Sequence, residues 1–125
     1  MSRRESPLGN AYDKNCPTRV ILDAIGNRWS VLIIGILSTG TLRFGELRRS
    51  ISGISTKVLT DRLRRLEEMG LVYREVHPTS PPAVEYSLTK LGNSLFDIVN
   101  DLRIWAETNF EQIMAVDKRD HKNRE

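Results

Sequence analysis

Thr56 or Lys57, Thr60 and Arg64 recur at intervals of three and four residues, so a helix through them lines them along one face. That set of side chains can read DNA. Arginine and lysine donate to guanine O6 and N7, and a threonine methyl fits against a thymine methyl. Ser55 and Thr56 open the same segment, and their hydroxyls, with the first-turn N–H groups, suit a phosphate oxygen. Arg43, Arg48 and Arg49 lie just upstream, where they would hold backbone phosphates and set register. Arg74 and His77 follow on a later segment, and an arginine there could enter a narrow minor groove. His77 is also open to a reading as a pH-sensitive group or as plain polar surface.

The charge is unevenly placed. Residues 43–65 hold seven Lys and Arg against two acidic residues, although the whole chain carries only +3. Residues 66–88 hold one against four, and residues 89–116 two against four. A basic middle between acidic flanks is the pattern of a polyanion-binding surface, and it is also the pattern of a solvated helix face. The order of the elements around it must decide.

Cys16 is the other residue with chemistry. It directly precedes Pro17, which suits the first position of a helix, so Cys16 falls at the N-cap or N′. The helix dipole there favours a thiolate, and Lys14 and Arg19 nearby would act the same way. The competing reading is a small buried cysteine that fills space under the helix. As the only cysteine it excludes an intramolecular disulfide and a cysteine-based zinc site. His77 and His121 stand in no ligand spacing, so neither a metal nor a cofactor is expected. There is no Ser/His/Asp or Cys/His pair and no phosphate-loop glycine pattern, which argues against an enzyme.

The elements that carry these residues can be read from periodicity. At 125 residues the chain makes one domain with a real core, and no apolar run approaches the ~20 residues of a membrane helix. The start, Met-Ser-Arg-Arg-Glu, has no apolar region behind it, so a cytoplasmic protein is expected. Residues 1–15 read as a flexible arm, 16–116 as the domain and 117–125 as a disordered charged tail. Val20, Ile21, Ala24 and Ile25 mark a first helix ended by Gly26-Asn27. Trp29, Leu32, Ile33, Ile36 and Leu37 mark a second, ended by Gly40, and Thr41-Leu42-Arg43 is a short extended link. Phe44, Leu47 and Ile51 mark a short third helix, and Gly53 makes a turn. Ser55 then caps a fourth helix, whose Leu59, Leu63 and Leu66 should face the core before Gly70 ends it.

After Gly70 the period falls to two. Segments 71–77 and 83–88 read as strands joined by the proline-rich stretch 78–82. Thr89 can cap a last helix, 89–116, in which Leu91, Leu95, Ile98, Leu102 and Trp105 form a heptad seam. The expected class is mainly α (α+β): a winged helix-turn-helix with a two-stranded wing and a long C-terminal dimerisation helix. The seam, with Phe96, Val99 and Ile104 beside it, is wider than one small domain needs, and Val20 and Ile21 of the first helix could pack on it. The other reading is that all of it packs on its own domain. A two-fold dimer would place two reading helices ~34 Å apart on an inverted-repeat operator in double-stranded DNA.

The residues that carry these signals also resemble a known family. Cys16-Pro17, Ile25-Gly26-Asn27-Arg28-Trp29, Arg43-Phe44-Gly45-Glu46-Leu47-Arg48-Arg49 and Ile54 through Thr60 follow the pattern of HxlR-type winged helix-turn-helix regulators of bacteria. So do Leu63 through Val72, Pro82 through Thr89, Gly92 and Trp105. The resemblance implies a homodimer that binds an operator and represses or activates nearby genes. It also implies, for some members, that the cysteine of the Cys-Pro pair senses oxidants or electrophiles. This chain lacks the resolving cysteine of two-cysteine members, which leaves a Cys16–Cys16 bridge between subunits, a mixed disulfide or direct alkylation. The alternative function is a winged-helix ligand-binding or protein-interaction module without operator recognition, with a small-molecule inducer as a further candidate partner.

Overall fold

The computed structural model describes residues 9–123, with side chains up to residue 116. Helix α1 spans Pro17–Ile25, with Cys16 in extended backbone at its N-cap and Pro17 at the first helical turn. It stops where the Gly26 N–H reaches the Leu22 carbonyl at 2.7 Å; a Cβ at Gly26 would lie only 2.8 Å from that oxygen. Asn27 then caps α2, Arg28–Leu37, accepting the Trp29 N–H on its side chain at 2.8 Å. The buried Ser30 hydroxyl donates to the Ala24 carbonyl at 2.8 Å and ties the two helices together.

Strand β1, Leu42–Arg43, leads into α3, Phe44–Ser50, where the Glu46 carboxylate accepts the Arg43 N–H at 2.8 Å. Helix α4 spans Thr56–Glu68, and Ser55 Oγ accepts the Val58 N–H at 3.0 Å, as an N-cap serine should. Gly70, with φ +75°, ends it by letting the Leu71 N–H turn back to the Leu66 carbonyl at 2.9 Å. Strands β2, Val72–His77, and β3, Ala83–Leu88, form the wing, and α5 runs Lys90–Asn123. Thr89 anchors α5 to the body: its N–H donates to the Leu71 carbonyl and its hydroxyl accepts from Gly92. Any Cβ at Gly92 would meet the Leu71 carbonyl oxygen, so only glycine fits this junction.

The core is one cluster. Ile33, Ile34 and Leu37 of α2 meet Leu47 of α3, the leucine stripe Leu59, Leu63 and Leu66 of α4, Val72 of β2 and Val99 of α5. The apolar sides of α2, α3 and α4 thus face inward, which holds α3 and α4 together against α2.

The structure adds three features to the expected outline. The sheet has three strands in the order β1-β3-β2, because Leu42 and Arg43 pair with Tyr86 and Glu85. A two-residue strand shows no alternation, so its partner, forty residues on, was invisible in the sequence. Residues 9–15 of the expected arm fold back on α1: the Arg19 Nε donates to the Ala11 carbonyl at 3.0 Å, and the Asp13 carbonyl accepts the Cys16 N–H. Residues 1–8 lie outside the described residues. Helix α5 continues to Asn123 through the segment expected as a tail, since extending a formed helix costs far less than starting one. No single helix among the described residues is long and apolar enough to cross a membrane.

Candidate nucleic-acid interface

The leucine stripe of α4 is sealed in the core, so the helix must turn its other side outward. Thr56, Lys57 and Arg64 are exposed there and Thr60 is half-buried between them. Thr56 and Lys57 stand in the capped first turn, where the free N–H groups point outward, and Thr60 and Arg64 follow about one and two turns further along. Ser55 is exposed, and its oxygen is engaged as the cap. The cap therefore fixes where this exposed polar face begins.

Arg48 and Arg49 stand in the last turn of α3. They flank a shallow hollow formed with Gly45, Gly53 and Ile54, a shape suited to a phosphate. Among the described residues the salt bridges join Arg65 to Glu68 at 3.7 Å, Arg103 to Glu107, and His77 to Glu75 and Glu85. Arg43, Arg48, Arg49, Lys57, Arg64 and Arg74 take part in none of them. Their charges stay available to a polyanion, which is what separates this face from a self-neutralised helix surface.

The wing divides its candidates. Register puts Arg74 opposite Tyr86, Glu75 opposite Glu85 and His77 opposite Ala83. Side chains alternate along a strand, so Arg74 and His77 emerge on opposite faces. His77 is held by Glu85 at 2.6 Å and lies 3.7 Å from Glu75, on the face that also carries Arg43 opposite Glu85. Two carboxylates beside the imidazole oppose an approaching phosphate. The sequence missed this trio because Glu85 joins it only through strand pairing. Glu75, His77 and Glu85 each place one ligand atom within 4.8 Å of the others, and at the closest contact the imidazole N–H donates to the Glu85 carboxylate.

Cys16 is half-buried at the start of α1. The Asn10 N–H donates to its sulfur at 3.2 Å, and the Thr18 hydroxyl lies 3.2 Å away, able to donate once the thiol ionises. Gly9 packs so closely over Thr18 that a side chain there would collide with its hydroxyl. The Thr18 hydroxyl, followed by the Asn10 and Thr18 N–H groups, holds the thiol below its ordinary pKa, against small opposing effects of burial and Asp13. The Arg19 guanidinium, expected beside the thiol, instead donates its Nε–H to the Ala11 carbonyl. Thr18, two residues on, was the legible signal.

The surface expected to dimerise is partly exposed. Val20 and Ile21 of α1, and Leu91, Ile98, Leu102 and Trp105 of α5, all face solvent, Ile98 at 66% and Trp105 at 58%. Leu95 differs: it packs on the core with Phe96 and Val99, because it sits at the border of the seam nearest α2. Exposed Leu22, Phe110 and Ile113 extend the apolar face beyond the residues read from the heptad pattern.

Comparison with known proteins agrees with this architecture. A model of the HxlR-like helix-turn-helix family matches residues 24–114. Over 108 residues the chain is 44% identical to the uncharacterized HTH-type transcriptional regulator YtfH of Escherichia coli strain K12, covering 86% of each chain. The transcriptional regulator ytfH from Salmonella typhimurium superposes with a TM-score of 0.84 at 43% identity, covering 88% of this chain and 98% of that one. The redox regulator HypR in its oxidized form superposes at 0.69 with 42% identity, covering 75% and 97%.

Proposed function

This chain belongs to the HxlR-like helix-turn-helix family of transcriptional regulators, and from that premise we infer that it acts as a homodimer on an inverted-repeat operator. The observation that carries the reading is the exposed face of α4. Thr56, Lys57, Thr60 and Arg64 run from the capped N-terminus into the second half of the helix, and neither cation takes part in a salt bridge among the described residues. Arg48 and Arg49 on α3 hold phosphates on one side and Arg74 on the wing supplies a further contact. Arg43 adds a backbone contact at the base of the wing; Ser55 and Thr56 receive a phosphate at the helix start. The exposed apolar faces of α1 and α5 join two copies and set the spacing of the two reading helices. The protein acts in the cytoplasm, on double-stranded DNA.

Cys16 serves as the sensor in this reading. Its sulfur is accessible, its thiol is shifted toward the thiolate, and it stands one turn from Val20 and Ile21 on the apolar face of α1. Modification by an oxidant or electrophile adds bulk or charge there and alters how the two reading helices are spaced. The similarity to HypR, named a redox regulator, supports this assignment.

The test is a gel shift with DNA upstream of the adjacent gene, with and without a large excess of nonspecific DNA. A complex that survives the competitor and maps to an inverted repeat is expected. Binding that the competitor abolishes on every fragment would leave a winged-helix module without operator recognition.

A further inference from the structure

Gly35 stands inside α2, where glycine is among the poorest helix formers, yet a Cβ built there would meet no atom within 4 Å. The empty space above it belongs to a half-open hollow of about 640 Å³ between α2, the turn joining α3 to α4, and α5. That size falls within the range of small-molecule sites. Its walls are apolar: Leu32 and Ile36 from α2, Ile51 from the turn and Phe96 from α5. A side chain at position 35 would improve the helix and fill the void, and neither is present.

The polar rim narrows the chemistry. The hydroxyl protons of Ser38, Thr39 and Ser50 are given to the Gly35, Ile36 and Glu46 carbonyls, so these residues offer mainly lone pairs. Arg103 supplies the charge at the α5 edge. Its Nη1 donates to both Glu107 oxygens at 2.8 Å and its Nη2 donates to Asn100 Oδ1 at 2.9 Å. Glu107 is well exposed and thus a replaceable partner, and among the described residues the Arg103 Nε–H makes no hydrogen bond. An apolar hollow with a guanidinium at its rim, whose exposed partner Glu107 a ligand carboxylate would have to displace, matches an apolar body with an anionic head.

We propose that this cavity binds a small apolar monocarboxylate, its body over Gly35 between Ile36, Ile51 and Phe96 and its carboxylate on Arg103. The site joins the turn that leads into α4 to the long helix α5, so occupancy links the two. That consequence rests on the DNA-reading assignment of α4; the binding itself does not.

The experiment titrates the 15N-labelled full chain with sodium 2-naphthoate and, in parallel, with neutral 2-naphthylmethanol. Saturable shifts of the Gly35, Ser52 and Asn100 amides are expected, with Ile98 and Trp105 unmoved. Arg103→Met should weaken naphthoate at least tenfold and leave naphthylmethanol unchanged. Gly35→Leu should abolish binding of both while keeping or raising the unfolding midpoint. The proposal fails if no saturable shift occurs, if Gly35→Leu binds naphthoate as wild type does, or if the shifts map to the face of Ile98 and Trp105. It fails equally if Gly35→Leu weakens self-association instead, because the cavity is then filled by a second copy.

Discussion

His77 Nε2 lies 2.6 Å from Glu85 Oε1 across the wing, while Glu75 stands in register directly opposite the same Glu85. The imidazole therefore sits beside two carboxylates that oppose each other, with Arg43 in register on the other side of Glu85. Like charges directly opposite in an antiparallel pair are destabilising by roughly 0.2–1 kcal/mol. His77→Ala should lower unfolding stability by about 1 kcal/mol, a loss of one hydrogen bond to a charged group plus the exposed repulsion. Adding Glu75→Gln should restore part of it. Urea unfolding of the two single variants and the double variant measures the coupling; strict additivity would show that His77 plays no part in holding the carboxylates.

The outward face of α4 predicts a division of labour in DNA binding. Lys57→Ala and Arg64→Ala should each cost roughly 1–3 kcal/mol on a specific site and less on random sequence. Arg49→Ala should weaken both alike and make the dependence on salt shallower. Fluorescence anisotropy across a salt series reads all three, and wild-type affinity in every variant would remove the face from consideration.

The environment of Cys16 predicts its reactivity. Because Thr18 and the Asn10 N–H favour the thiolate, the rate of alkylation by iodoacetamide should rise with pH through a midpoint below that of a free thiol. Thr18→Val removes the largest of these influences and should move the midpoint to higher pH. The pH–rate profiles of the two proteins settle it; superimposable curves would show that Thr18 does not tune the sulfur.

In the proposed regulator, Cys16→Ser should bind the operator like the untreated wild type and be insensitive to diamide or methylglyoxal. Wild type should change its affinity on treatment and recover with a reducing thiol after diamide. Wild-type binding that is identical before and after both reagents would leave Cys16 a structural residue.

The exposed apolar strip on α5 predicts self-association. Ile98→Glu and Leu102→Glu should give a folded monomer by sedimentation equilibrium, with helical circular dichroism retained, because neither side chain belongs to the core. Val99→Glu should instead unfold the domain, since Val99 is 5% exposed among the core residues. Dimers of unchanged affinity for both of the first two variants would place the interface elsewhere.

Much of this protein is decided by local sequence. The leucines at 59, 63 and 66 can be buried only on one side of a helix, so Thr56, Lys57, Thr60 and Arg64 must emerge on another. Ser55 and Gly70 set the ends of α4, and the Thr89 hydroxyl starts α5 at the Gly92 N–H, through hydrogen bonds reaching only a few residues along the chain, and such short-range chemistry is visible in the order of residues. Relationships between distant segments are not. Leu42 and Arg43 become a strand because Tyr86 and Glu85 arrive beside them, and the same pairing decides which face of the wing each side chain takes. Leu95 shares the spacing of its seam, yet it turns home because the core cluster is within its reach. The space above Gly35 exists only where three separate elements fail to close, so no stretch of sequence encodes it. Period and capping are properties of neighbours along the chain; strand partners, exposed seams and cavities depend on what tertiary packing brings together, and leaves apart, in space.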